Sequence, residues 1–194
     1  MVISRNEYLV ILAVLAIERL FELVLSQRNA NSLFARGARE TGRDHFAPMV
    51  AFHSLFLMAP AAEMLIFDRP FPGPIGWVAL GATIMAQALR YWAIFTLGER
   101  WNTRVLTVPN DAPITTGPYR FLRHPNYLAV AIEMVSVPCI HGCWLTAIGF
   151  SLGNAVLMSV RIPSEEQAQG VHYTDAFEKT PRMLPTPSSR SRRS

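Results

Sequence analysis

Residues 74–97 read PIGWVALGATIMAQALRYWAIFTL, an apolar run whose one Asp, Glu, Lys or Arg is Arg90. About 20 mostly apolar residues cross a bilayer as a helix, so this run predicts a membrane span. Working outward, residues 47–67 (APMVAFHSLFLMAPAAEMLIF) and 8–25 (YLVILAVLAIERLFELVL) qualify by length as well. The stretch 127–162 is too long for one crossing. It breaks at Pro138-Cys139-Ile140-His141-Gly142, which predicts a tight helical hairpin. A soluble helical bundle is disfavoured, because too few polar residues remain to coat outward helix faces. The expected fold is all-α: a multi-pass helical membrane protein of about five transmembrane helices, the last two as a hairpin, plus a cytoplasmic C-terminal helix. Residues 1–185 are expected to form one domain and 186–194 a disordered basic tail.

Composition points the same way. Hydrophobic residues make up 51% of the 194 and charged residues 16%, against roughly 25% charged in an average soluble domain. This excludes disorder and a disulfide scaffold. The net charge of +4 is scattered between apolar blocks, which implies no nucleic-acid partner. Thirteen Lys and Arg fall in residues 26–46, 98–125 and the C-terminal segment, against Arg5 and Arg69 on the other side. The positive-inside rule predicts a cell-membrane protein with its N-terminus outside and its long loops and C-terminus cytoplasmic. The ending SSRSRRS suits contact with anionic membrane lipid. The first block carries Glu18, Arg19 and Glu22 with no small-residue cleavage pattern after it, so it is expected to be a retained helix rather than a signal peptide.

Charge inside a membrane is expensive, about 2.5–3.5 kcal/mol per group on insertion scales. Glu18, His53, Arg90, Glu133 and Asn154 each lie six to eight residues from the expected cytoplasmic end of a different helix. At 1.5 Å per residue they share one stratum about 9–12 Å deep. Glu22 shares a face with Glu18 at i, i+4 spacing. Two readings stay open: a polar substrate pocket of Glu18, Glu22, His53, Arg90 and Glu133 opening toward the cytoplasmic leaflet, or an ion-pair layer that fixes packing.

Two motifs flank the hairpin. Thr115–Tyr127 reads TTGPYRFLRHPNY, with turns set by Gly117-Pro118 and Pro125 around aromatic, basic and imidazole groups. Arg161-Ile162-Pro163-Ser164-Glu165-Glu166 lies where the last helix leaves the membrane, with Arg161 and Glu165 four apart. Together, G-P-Y-R-F-L-R-H-P-N-Y and R-I-P-S-E-E resemble the isoprenylcysteine carboxyl methyltransferase family of integral membrane enzymes over roughly residues 104–185. The resemblance implies S-adenosylmethionine as cofactor, held without a Rossmann sheet; no strand–GxGxx–helix unit is present. It implies that Tyr119, His124, Pro125, Asn126, Tyr127 and Glu165 line the cofactor site, with Pro113 and Ile114 covering it. It places Arg161 at the methyl acceptor. Arg104 stands where relatives contact cofactor, in a differing local sequence. After the Glu pair the family continues with a longer helix and a Phe-Gly-x-x-Tyr pattern; here GVHYTDAFEKTPR is about a turn shorter, and Tyr173 and Phe177 replace the usual aromatics.

Residues 18–29 and 37–46 further resemble a bacterial branch associated with type III polyketide synthases, whose members O-methylate alkylpyrones or alkylresorcinols. The acceptor is therefore expected to be a lipophilic small molecule, through a hydroxyl or a prenylcysteine-type carboxylate. A carboxylate needs no base; for a hydroxyl, Glu166, His172 or the Glu18/Glu22 pair are candidates. An NADPH-dependent membrane sterol-type reductase and a non-enzymatic membrane protein are the alternatives. Two weaker signals are read plainly. Cys139-x-x-x-Cys143 around His141 is a turn rather than a metal site, and Gly149-x-x-x-Gly153 is a helix-packing face.

Overall fold

A computed structural model describes residues 2–43, 46–109 and 111–183, with the side chains of 171 and 172 excepted. Five long helices dominate: α1 (Arg5–Ala35), α2 (Phe46–Ile66), α3 (Pro74–Leu97), α4 (Pro125–Cys139) and α5 (Trp144–Ala176). Between them lie β1 (Arg39–Thr41) and β2 (Val105–Thr107), paired antiparallel with Glu40 opposite Leu106. By length and composition α2, α3 and α5 can each cross a membrane. The tail 186–194 and the His172 side chain lie outside the described residues.

The outer faces settle the solvent. Along α1, Ile17, Phe21 and Val24 are each about two-thirds exposed, whereas Glu22 is only 4% exposed. A charge turned inward beneath an apolar surface suits lipid rather than water.

Helix limits follow local chemistry. Ser4 caps α1 in a reciprocal capping box with Glu7. Pro74 opens α3 and Gly98 follows its last residue. The α4–α5 turn falls at 140–143, as the hairpin reading requires. One limit differs from expectation. The first helix does not end with its apolar block, residues 8–25, but runs to Ala35, because its last turns are held by loop 98–103: Asn29 Nδ2 donates to the Trp101 carbonyl (2.8 Å) and Asn102 Nδ2 to the Ser26 carbonyl (2.8 Å). α5 runs on through Pro163 to Gly170, whose φ of 74° favours glycine and breaks the helix, and a further helical segment follows to Ala176.

Two apolar cores sandwich a polar layer. The larger, around Tyr8, Leu12, Phe56, Met64, Met134 and Val137, fills the end near the α4–α5 turn. The smaller joins Ala93, Tyr119, Tyr173 and Phe177 at the opposite end. At the turn, His141 stacks on Tyr8 with centroids 5.1 Å apart and the Cys143 thiol meets the Pro60 carbonyl at 3.3 Å. Among the described residues no group of His, Cys, Asp or Glu could hold a metal. Of the glycine pair in α5, only Gly153 packs tightly: a Cβ there would strike the Phe52 ring of α2, whereas Gly149 faces open space.

Glu63 of α2 caps α5 from outside. It accepts hydrogen bonds from the Leu145 and Thr146 amides (3.2 and 2.7 Å), the Thr146 hydroxyl (2.7 Å) and Arg69 Nε (3.0 Å). Glu63→Ala orphans those amides and unpairs Arg69. We expect a loss of about 2–3 kcal/mol, read as a lowered unfolding midpoint in detergent; an unchanged midpoint contradicts the capping role.

Candidate active site

The Gly117–Arg120 turn begins with Gly117 at φ 57°, pressed so closely on Thr96 that a Cβ would collide with its side chain. That approach buries Tyr119 against α3. His124 then precedes Pro125, the first residue of α4, and is 4% exposed. Its ring stacks on Tyr127, centroids 5.3 Å apart. The Tyr127 hydroxyl donates to the Glu165 carboxylate and accepts from Arg161 Nε at 2.8 Å. Arg161 Nη2 donates to the Thr103 carbonyl at 2.5 Å. The two motifs thus meet as one hydrogen-bonded relay, Arg161–Tyr127–Glu165.

Below it lies the membrane charge cluster. Arg90 grips Glu22 with two parallel bonds, Nε at 2.7 Å and Nη2 at 2.5 Å. Arg19 reaches both Glu22 oxygens at 2.9 Å, Gln87 at 3.0 Å and Glu133 at 3.2 Å, with Glu18 at 3.8 Å. Gln87 also donates to Glu18. The cluster ties α1, α3 and α4, so the ion-pair layer exists.

A cavity lies against this layer. One cavity of about 250 Å³ is lined both by Glu22, His53, Arg90 and Arg19 and by Ile114, Tyr119, His124, Asn126, Tyr127, Arg161 and Glu165. Arg104 joins its wall, its guanidinium 5.3 Å from the Phe46 ring centroid. Glu18 and Glu133 stand behind the wall and hold Arg19. Pro113 is not part of the lining, and Pro125 sets the start of α4 instead.

Three expected site residues, Glu18, Glu133 and Glu166, do not line the cavity. Glu166 bonds His124 Nε2 (3.2 Å) and Arg182 Nη2 (2.6 Å) and lies 3.7 Å from Arg123, a place from which it orients His124 rather than touching an acceptor. Asn154, though at the right depth, lines a separate hollow on the α4–α5 face with Ser151. Glu18 is screened from the cavity by Arg19.

The shortened C-terminal segment closes the top. Tyr173 and Phe177 line the cavity, and the chain beyond pairs with the motif: the Arg123 and His124 amides donate to the Pro181 and Arg182 carbonyls, each at 2.9 Å. Burial pushes the Tyr119 and Tyr173 phenols well above the ordinary tyrosine value, and Glu165 pushes the same way. Both stay protonated and present O–H donors.

Sequence reasoning missed Trp101, Asn102 and Thr103, which complete the lining, and Ser26, whose hydroxyl lies 2.8 Å from that of Thr103 and accepts its amide at 3.0 Å. The signal was the pair Ser26 and Asn29, one turn apart on one face of an amphipathic helix end.

Apolar outer faces around a cavity that charged and aromatic side chains line define a helical membrane protein with a candidate binding site. The chain belongs to the isoprenylcysteine carboxyl methyltransferase (ICMT) family, whose model matches residues 77–169. It is a membrane methyltransferase by that membership. The uncharacterized protein YpbQ of Bacillus subtilis is 35% identical over 159 residues, covering 81% of this chain and 94% of that protein. The protein-S-isoprenylcysteine O-methyltransferase of Xenopus laevis is 26% identical over 144 residues, 69% of this chain and 50% of that enzyme. Its Schizosaccharomyces pombe counterpart is 27% identical over 110 residues, 56% and 47%.

Proposed function

We propose that the chain transfers a methyl group from S-adenosylmethionine to an oxygen of a lipophilic acceptor, at the cytoplasmic face of the cell membrane. The acceptor is an alkylpyrone or alkylresorcinol hydroxyl, the product of a type III polyketide synthase, or a prenylcysteine-type carboxylate. The observation that supports this most is the continuity of the cavity from the His124–Tyr127–Glu165 group to the Arg90–Glu22 wall.

The residues present suit the donor. Asn126 Oδ1 is buried without a hydrogen-bond partner and lines the cavity. Glu165 faces the same space with no Lys or Arg in ion-pair distance among the described residues. An unpaired carboxylate and an unpaired amide oxygen call for a cationic ligand with N–H donors. When bound, S-adenosylmethionine supplies an electrophilic methyl on a sulfonium.

The protein's part is chiefly positional. Tyr127 fixes the Glu165 carboxylate, and Arg161 fixes Tyr127. Tyr119, Tyr173, Phe177 and Trp101 wall off water, which favours a displacement that neutralises charge relative to the same reaction in solvent. The acceptor's tail rests in lipid while its head enters the polar layer.

Calorimetric titration of the detergent-solubilised chain with S-adenosylmethionine is the test. Saturable heat displaced by S-adenosylhomocysteine is the expected result; no heat overturns the reading. His124→Ala is expected to weaken binding at least tenfold, because it removes the ring stacked on Tyr127.

A further inference from the structure

Two cavity atoms remain unused by the relay. His53 Nδ1 lies 2.8 Å from the Met49 carbonyl one turn earlier. A carbonyl only accepts, so Nδ1 carries the proton, and the neutral ring's lone pair sits on Nε2. Nε2 has no hydrogen-bond partner among the described residues, and the half-buried ring lines the cavity. Arg90 spends Nε and Nη2 on Glu22, and its buried Nη1 has no partner. One wall therefore offers a free base nitrogen from α2 and a free charged N–H from α3.

We propose that His53 is the proton acceptor for a hydroxyl-bearing methyl acceptor and that Arg90 Nη1 holds the same oxygen. This rests on the methyl-transfer reading above and deepens it. The acceptor's O–H bond breaks and its proton passes to His53 Nε2. The oxygen's electron pair forms the new bond to the methyl carbon of a sulfonium donor, and sulfur keeps the pair of the bond that breaks. The imidazolium then releases its proton to water when the product leaves.

Three guanidinium groups act on His53: Arg19 of α1, Arg90 of α3 and Arg161 of α5. They favour an oxyanion at this wall over a bare hydroxyl. Glu22, the carboxylate of the same wall, is already claimed by Arg90 and Arg19. At this wall that leaves the imidazole open to take a proton, in place of the Glu18/Glu22 pair, while Glu165 in the same cavity is assigned to the cationic donor.

The test compares wild type with His53→Asn and His53→Ala on two probes, a 5-alkylresorcinol and N-acetyl-S-farnesylcysteine. S-adenosylhomocysteine binding is measured by calorimetry in every variant. With the resorcinol, kcat is expected to fall about 10²- to 10⁴-fold, the range for a lost general base. Its rise with pH is expected to move to the phenol's own ionisation, and free imidazole to restore part of the rate in His53→Ala. Homocysteine-product binding stays within threefold. Unchanged resorcinol turnover or pH profile in a variant that still binds the product overturns the proposal, as does an equal loss on the carboxylate probe. Absence of product binding in the wild type instead overturns the underlying methyl-transfer reading.

Discussion

Glu22→Ala is expected to lower the chain's stability by about 3–5 kcal/mol, the cost of breaking a buried ion pair by removing one partner. Glu22 takes four hydrogen bonds, two from Arg90 and two from Arg19. Without it Arg90 loses its only ion-pair partner among the described residues while 7% exposed. Arg19 fares better, since Glu133 still lies at 3.2 Å. The double replacement Glu22→Leu with Arg90→Met should recover most of the loss, because apolar groups of similar volume often match a buried pair in stability. Unfolding of the purified protein in detergent, followed by helical circular dichroism, measures all three chains. A single variant that loses less than 1 kcal/mol, or a double variant less stable than Glu22→Ala, contradicts this account. The double variant is also expected to lose acceptor methylation, which separates the pair's structural part from its place in the cavity wall.

The sequence made heights legible and directions only partly so. Residues 74–97 coincide with α3 because a glycine precedes Pro74 and another follows Leu97; both ends carry local chemistry. α1 outran its apolar block because what holds residues 26–35 helical is contact with a loop some seventy residues away, through Ser26 and Asn29. Locally that contact shows as two polar residues one turn apart, with nothing to name the distant loop they hold. The β1–β2 pair has three residues per strand, too few for an alternating pattern to show. Depth counting set His53, Arg90 and Asn154 at one height, yet the first two line one cavity and Asn154 another, since a rise of 1.5 Å per residue says nothing about azimuth. Glu165 and Glu166 show the same gap. Adjacent residues on a helix point about 100° apart, so one faces the cavity with Tyr127 and the other turns to Arg182 and His124. Spacing from Arg161 favoured Glu165, four residues on, and that spacing was the stronger clue.

That division between neighbouring carboxylates gives the second large effect. Glu165→Gln is expected to weaken S-adenosylmethionine binding about 100-fold, roughly 2.7 kcal/mol, while Glu166→Gln changes it less than threefold. Glu165 is the anion facing the cavity beside His124, and no cation among the described residues neutralises it. A sulfonium ligand therefore gains a charge-assisted contact that an amide cannot replace. Glu166 already has Arg182, Arg123 and His124. Its loss slackens the tie between the C-terminal segment and the start of α4, and it should appear as a lower unfolding midpoint rather than weaker binding. Tyr127→Phe tests the relay between them. It removes the hydroxyl joining Glu165 to Arg161 and keeps the ring on His124, so a loss of about tenfold is expected. Calorimetry on the three variants ranks them, and a larger loss for Glu166→Gln than for Glu165→Gln removes the assigned role of the cavity carboxylate. Two donor analogues supply the control: sinefungin, whose protonated amine replaces the sulfonium, should keep its sensitivity to Glu165→Gln, and S-adenosylhomocysteine, with a neutral sulfur, should show a smaller penalty.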